Sequence, residues 1–139
     1  MAELQHVRHD APDIVRRKHH HTVLIIEPDD LIRGLLEHWL REAGYTVIAQ
    51  SLEQLPRAGL GALMPALVIL DVASPRDAGK IIDLVKALCP SPILALSGRF
   101  QGKPSSSTNL ARQLGVRNTL AKPFNRGDLL AAVGDSIKA

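Results

Sequence analysis

The chain has 139 residues, 45% of them hydrophobic and 22% charged, which suits one domain with its own core. No apolar run approaches the roughly 20 residues that a membrane-spanning helix needs, and the start, MAELQHVRHD, lacks the apolar stretch of a secretory signal. The net charge of +3 is spread along the chain and only four residues are aromatic, which argues against a direct nucleic-acid interface. The single cysteine, Cys89, cannot form an internal disulfide, so we expect a reducing, cytoplasmic location.

Hydrophobic periodicity predicts alternating strands and helices after a polar start. Residues 1–20 show no sustained period and are predicted to be a mobile tail, which leaves residues 21–139 as the domain. Strands are predicted over residues 23–26, 45–49, 67–70, 92–96 and 118–121. The first helix is predicted from its apolar stripe between Leu31 and Leu40, and it ends at Gly44. Further helices are predicted from Ser51 to Gly59, from Ile81 to Leu88, over residues 105–114, and from the Asn125 cap to Ile137.

Five strands that alternate with five helices predict an α/β protein whose parallel sheet is covered by helices on both faces. Right-handed crossovers leave few topologies, of which the strand order 2-1-3-4-5 is common at this length. In such a sheet, a functional site lies beyond the carboxyl ends of the strands, at the switch point between the first and third strands.

Polar residues occur where this rule predicts a site. The first strand ends in Glu27, the third in Asp71, the fourth in Ser97 and the fifth in Lys122. Carboxylates from neighbouring strands can bind Mg²⁺, and an aspartate beside that ion can become an aspartyl phosphate. Lysine and hydroxyl groups can stabilise the phosphoryl oxygens. The pattern therefore predicts phosphoryl transfer.

The segments VLIIEPDDLIR, ALVILDVASP, PILALSG and LAKPF resemble the receiver domain of two-component response regulators, which has a flavodoxin-like fold. The resemblance covers about residues 22–138. It implies that Asp71 is the phosphoacceptor, that Ser97 is the switch hydroxyl, and that Lys122 is the lysine of a Lys-Pro pair whose peptide bond is usually cis. It further implies that Glu27 is the first residue of the acidic pair and that the Ala73 backbone carbonyl is a metal ligand.

Three departures from the family pattern affect this expectation. Pro28 occupies the second position of the acidic pair, so Mg²⁺ binding is expected to be weak. The adjacent Asp29 is a further candidate ligand, although a helix cap is its plainer assignment. Thr119 replaces the aromatic residue of the switch, which leaves Ser97 without its usual partner. The segment from Ser97 to Lys122 is longer than usual, which predicts a long loop over residues 99–108.

The expected function is that of a single-domain response regulator, since the chain ends soon after its last helix. A histidine kinase or phosphotransfer protein would phosphorylate Asp71, and the only enzymatic activity would be Mg²⁺-dependent self-phosphorylation and dephosphorylation. Signalling to an unknown downstream protein, or homodimerisation, would use the face formed by the fourth helix, fifth strand and fifth helix. The alternative is a phosphorylation-independent pseudo-receiver that acts as a protein-binding module. A P-loop NTPase and a dinucleotide-binding protein are excluded because their glycine motifs are absent.

Overall fold

A computed structural model describes residues 21–54, 64–72, 75–100 and 108–138. The predicted tail over residues 1–20 and most of the helix predicted after Ser51 lie outside these ranges. The described strands are β1 (Thr22–Ile26), β2 (Thr46–Ala49), β3 (Leu67–Asp71), β4 (Ile93–Ser97) and β5 (Asn118–Ala121). The described α-helices are α1 (Asp30–Glu42), α2 (Pro75–Leu88), α3 (Thr108–Leu114) and α4 (Arg126–Lys138), and a 3₁₀-helix, Gly98–Phe100, follows β4.

The five strands form one parallel sheet in the order β2-β1-β3-β4-β5, which confirms the predicted fold class and topology. The strands are continuous apolar runs because alternate side chains enter two separate cores. Ile25, Ile69 and Leu94 point to one face, whereas Leu24 and Val68 point to the other.

Helices cover both faces of this sheet. Leu36 and Leu40 of α1 pack with Leu129 and Val133 of α4 on one face. On the opposite face α2 supplies the main apolar stripe, whose buried members are Ala78, Ile82, Val85 and the adjoining Cys89. Trp39 of α1 is half-buried and packs against the core of the same face as Leu36 and Leu40. In the described part of the chain, no helix is long and apolar enough to cross a membrane.

Local caps explain where the helices begin and end. Asp29 accepts hydrogen bonds from the backbone N–H groups of Leu31 and Ile32, and therefore caps the start of α1. Asn125 accepts one from the N–H of Asp128 at 2.7 Å and caps α4, as predicted. Ser51 and Gln54 exchange two hydrogen bonds, which is the pattern of a capping box at the start of the predicted helix. Gly44 and Gly115 have φ angles of 100° and 76°, which suit the turns that end α1 and α3.

The main difference from the prediction concerns the start of α2, which begins at Pro75 rather than near Ile81. The apolar stripe does not predict this first part of α2 because three of its residues are exposed: Asp77, Gly79 and Lys80. A proline also suits the first position of a helix because its missing N–H would have no partner there.

Candidate functional site

The carboxyl ends of four strands bring the predicted polar residues to one edge of the sheet. Glu27 follows β1, and Asp71 is the last residue of β3. Ser97 ends β4 and Lys122 follows β5. Because parallel pairing places Ser97 beside Ala121 and Asp71 beside Leu96, these residues occupy neighbouring positions along the edge.

Lys122 connects the two carboxylates. Its Nζ lies 2.7 Å from Oδ1 of Asp71, to which it donates a hydrogen bond, and 2.8 Å from Oε1 of Glu27. The exposed fractions of the three side chains are 1% for Glu27, 13% for Asp71 and 18% for Lys122. The peptide bond between Lys122 and Pro123 is cis, as the resemblance implied.

Burial alone would lower the pKa of Lys122. The hydrogen bond to Asp71 and the negative charges of Asp71 and Glu27 outweigh burial, so the pKa of the ammonium lies above its ordinary value. Lys122 is therefore a cation throughout the neutral pH range. Because one ammonium faces two carboxylates, the cluster has an excess of negative charge in a weakly solvated place.

The two carboxylate oxygens of Glu27 have different environments. Oε2 accepts a hydrogen bond from the backbone N–H of Asp29 at 3.1 Å. Oε1 is buried and accepts no hydrogen bond of good geometry from the described residues, so its contact with Lys122 is ionic. A buried anionic oxygen that accepts no hydrogen bond is well suited to contact a further cation.

The residues that follow Glu27 do not add a carboxylate to this cluster. Pro28 is exposed and has no ligand atom in its side chain. Oδ1 of Asp29 lies 2.9 and 3.0 Å from the N–H groups that it caps at the start of α1. Ala73 lies outside the described residues, so its carbonyl remains a predicted ligand. Among the residues that the structure describes, no group of three or more His, Cys, Asp or Glu side chains is arranged to bind a metal.

Glu27 and Asp71 nevertheless fit Mg²⁺, which prefers oxygen ligands and retains several of its waters. The two residues line an open cavity of about 720 Å³ at the β1–β3 switch point. Its other side is formed by residues 49–54, which comprise the end of β2 and the segment after it, by Arg33 of α1 and by Ile81 of α2. The cavity therefore gives solvent and small ligands access to Asp71, whose side chain is 13% exposed, whereas Glu27 is buried in its wall.

The two predicted switch residues, Ser97 and Thr119, are both buried. The hydroxyl of Ser97 accepts a hydrogen bond from the backbone N–H of Arg99 at 2.9 Å and so caps the 3₁₀-helix that follows β4. Thr119 lies in the middle of β5, paired in register with Ala95. It provides no aromatic ring at this position.

Arg33 also belongs to the site, although no sequence pattern predicts it. Its Nη1 donates a hydrogen bond to the carbonyl oxygen of Glu27 at 2.9 Å and lies 3.5 Å from that of Pro28. Its Nη2 pairs with the carboxylate of Asp30. The spacing of Asp30 and Arg33 predicts an ordinary helix-surface ion pair, and no sequence signal indicates the carbonyl contacts.

Comparisons with known proteins identify the class to which this architecture belongs. No protein-family model matches the chain. The chain is 35% identical to the transcriptional regulatory protein PdtaR of Mycobacterium tuberculosis over 115 residues, which cover 80% of this chain and 54% of PdtaR. It spans between 30 and 54% of the length of the curated relatives that it matches.

Solved structures are similar to this chain over most of its length. A candidate response regulator from Chloroflexus aurantiacus has a TM-score of 0.68 and 29% identity, over 86% of this chain and 98% of that one. The receiver domain of the sensor histidine kinase PA1611 from Pseudomonas aeruginosa, which has Mg²⁺ in its active-site cleft, has a TM-score of 0.66 and 22% identity. That likeness covers 86% of this chain and 98% of the PA1611 domain.

The parallel 2-1-3-4-5 sheet and its edge of acidic, hydroxyl and lysine side chains define a flavodoxin-like receiver fold. The chain belongs to the receiver domains of two-component response regulators.

Proposed function

We propose that this receiver domain accepts a phosphoryl group on Asp71 from a histidine kinase or phosphotransfer protein in the cytoplasm. The observation that carries this proposal is the buried cluster in which Lys122 lies 2.7 Å from Asp71 and 2.8 Å from Glu27. Among the residues that this edge of the sheet brings together, Asp71 combines a partly accessible carboxylate with a fixed cation.

In the proposed reaction, a carboxylate oxygen of Asp71 attacks the phosphorus atom of a phosphohistidine. A P–O bond forms while the P–N bond breaks, and the leaving imidazole keeps the electron pair and takes a proton from solvent. Lys122 stabilises the negative charge of the transferred phosphoryl group. Attack by water on the aspartyl phosphate would release inorganic phosphate and return Asp71 to its carboxylate form.

Mg²⁺ would be held by the carboxylates of Asp71 and Glu27, together with the Ala73 carbonyl that the resemblance implies. When bound, it supplies positive charge that offsets the repulsion between the carboxylate and the incoming phosphoryl oxygens. The ionic contact of Lys122 with both carboxylates supports this assignment because it shows that the cluster already holds one cation.

The test is an intact-mass measurement after incubation with Mg²⁺ and acetyl phosphate, a small phosphodonor. We expect a mass gain of one phosphoryl group that Asp71→Asn abolishes. Asp83→Asn is the matched control because Asp83 is an exposed aspartate of α2 that does not line the cavity. Labelling of Asp71→Asn would show that another residue is the acceptor.

A phosphorylation-independent pseudo-receiver is the second candidate function. The observation that favours it is that Asp29 caps α1. Asp29 therefore does not replace the carboxylate that is missing at Pro28, the second position of the acidic pair. In that case neither acetyl phosphate nor a phosphorylated kinase domain would change the mass of the protein. Signalling would then depend on surfaces such as that formed by α3, β5 and α4, the face proposed above for partners or a second copy.

A further inference from the structure

We infer that Arg33 is a positioning residue of the phosphoacceptor site and that it acts through Glu27. Its guanidinium holds the backbone that carries Glu27 and Pro28 against the first turn of α1. This inference rests on the proposed function, because Glu27 matters for phosphorylation only if Asp71 is the acceptor. Arg33 would not touch the phosphoryl group itself.

The β1–α1 loop needs an anchor of this kind because of its proline. Pro28 has no N–H group, so the loop cannot be fixed at this residue by donation from the backbone. The carbonyl oxygens of Glu27 and Pro28 remain as acceptors, and Arg33 lies 2.9 and 3.5 Å from them. Asp30 pairs with the same guanidinium, which ties the carbonyl oxygens to the start of α1.

Fixing this backbone also fixes the carboxylate of Glu27. Oε2 of Glu27 accepts the N–H of Asp29, and Oε1 contacts Lys122, which in turn contacts Asp71. A shift of the Glu27 backbone would therefore alter the charge that faces Lys122 and any cation beside it. Arginine suits this task because its planar fork can donate to several acceptors at once, whereas a lysine offers one compact charge.

The experiment compares the wild-type chain with Arg33→Ala, Arg33→Lys and the control Arg41→Ala. Arg41 lies on the same helix, has a side chain that is 57% exposed, and pairs only with Glu37 among the ion pairs of the described residues. The first measurement is the hydrogen exchange of the Asp29 amide by NMR, which reports its bond to Glu27 directly. The second is a calorimetric titration with MgCl₂ alone. The third is the rate of labelling by acetyl phosphate at limiting and at saturating Mg²⁺.

Arg33→Ala should accelerate exchange of the Asp29 amide and weaken Mg²⁺ binding by about tenfold, the size of a typical outer-shell substitution. Labelling should slow by a similar factor at limiting Mg²⁺ and recover at saturating Mg²⁺. Arg33→Lys should restore these properties only in part, and Arg41→Ala should match the wild type. If Arg33→Ala does not fold, Arg33→Lys decides the question, because it keeps the positive charge but lacks the planar guanidinium.

The failures of the two proposals are distinguishable. If the wild type is labelled and both Arg33 variants match Arg41→Ala in Asp29 exchange and in Mg²⁺ affinity, Arg33 has no positioning role. If the wild type neither binds Mg²⁺ nor becomes labelled, the proposed function fails. Even in that case, the anchoring of Glu27 by Arg33 is supported if the Asp29 amide exchanges faster in the Arg33 variants than in the wild type and Arg41→Ala. Unchanged exchange in the Arg33 variants overturns it.

Discussion

Lys122 holds two carboxylates together in a place where water is scarce. The side chain of Glu27 is 1% exposed and that of Asp71 is 13% exposed, so neither charge is well solvated. Removing one partner from a buried ion pair is costly, since the remaining charge keeps its desolvation penalty. The ammonium of Lys122 therefore contributes to stability as well as to the proposed phosphoryl transfer.

Lys122→Met should consequently destabilise the domain by about 3 kcal/mol, because Glu27 and Asp71 would face each other without a cation. Added Mg²⁺ should raise the melting temperature of this variant more than that of the wild type, because it can replace the missing charge. Thermal unfolding with and without Mg²⁺ measures both effects. Lys80→Met, which alters an exposed lysine of α2, is the control, and an equal response of both variants to Mg²⁺ would contradict the prediction.

Pro28 has a separate effect on metal affinity. Since Asp29 caps α1, Glu27 is the residue of the β1–α1 loop that contributes a carboxylate to the cluster. Pro28→Asp should restore the second acid and tighten Mg²⁺ binding by about tenfold, which corresponds to a gain of about 1.4 kcal/mol. Labelling of Asp71 at limiting Mg²⁺ should become faster as well.

A titration of both proteins with Mg²⁺ measures this gain. Pro90→Asp adds the same charge at an exposed proline before β4, at the opposite edge of the sheet, and should leave the affinity unchanged. Equal affinities in Pro28→Asp and the wild type would show that the second acidic position makes no difference in this receiver.

At the scale of single elements, β4 and its 3₁₀-helix form the connection between the site and the surface. The hydroxyl of Ser97 caps this helix through the N–H of Arg99. If Ser97 turns toward a phosphoryl group on Asp71, the Arg99 amide loses its acceptor. Thr119 is buried in β5 and has no ring that could move with Ser97.

Phosphorylation should therefore affect the segment after β4 more than it affects β5. We expect beryllofluoride, a phosphoryl mimic, to accelerate hydrogen exchange at the Arg99 amide. Ser97→Ala should show fast exchange at this amide before the mimic is added, with little further change, because the cap is already absent. Larger changes over residues 118–121 than at Arg99 would contradict this expectation.

The sequence predicts the elements best where burial dictates the pattern. The run of residues 67–70 is apolar without interruption because both faces of β3 are covered, and this alone indicates a parallel sheet. The first turns of α2 escape prediction because Asp77, Gly79 and Lys80 face solvent and follow no apolar period.

The same contrast applies to the site. The end of each strand locates Glu27, Asp71, Ser97 and Lys122 at one edge, since parallel strands all end on the same side. The hydrogen-bond and ion-pair partners of these side chains depend on rotamers and loop geometry, which the sequence pattern does not indicate. The contact of Arg33 with two backbone carbonyls is the clearest example, because any residue type presents the same carbonyl.

At the scale of the whole molecule, the site adjoins an apolar groove between α1 and the loop after β5. The groove has a volume of about 410 Å³, and its lining includes Ile32, Leu35, Trp39 and Phe124 together with Lys122. Leu35 is 42% exposed, and Leu31, one turn earlier on α1, is 77% exposed. Lys122 belongs both to this groove and to the acidic cluster. We therefore expect a protein donor that binds in the groove to place its phosphohistidine near Asp71.

Leu35→Glu should therefore impair phosphorylation by a protein donor but not by a small one. A charge placed in an apolar contact of this size should slow transfer by about tenfold at sub-saturating protein concentration, as expected for the loss of one well-packed anchor. The measurement uses phosphorylated histidine-phosphotransfer proteins that label the wild type, with acetyl phosphate as the small donor. Leu84→Glu is the matched control, since Leu84 is 47% exposed on α2, across the sheet from the groove. If Leu35→Glu slows labelling by acetyl phosphate to the same extent, the groove supports the site rather than the donor; if neither rate changes, the donor docks elsewhere.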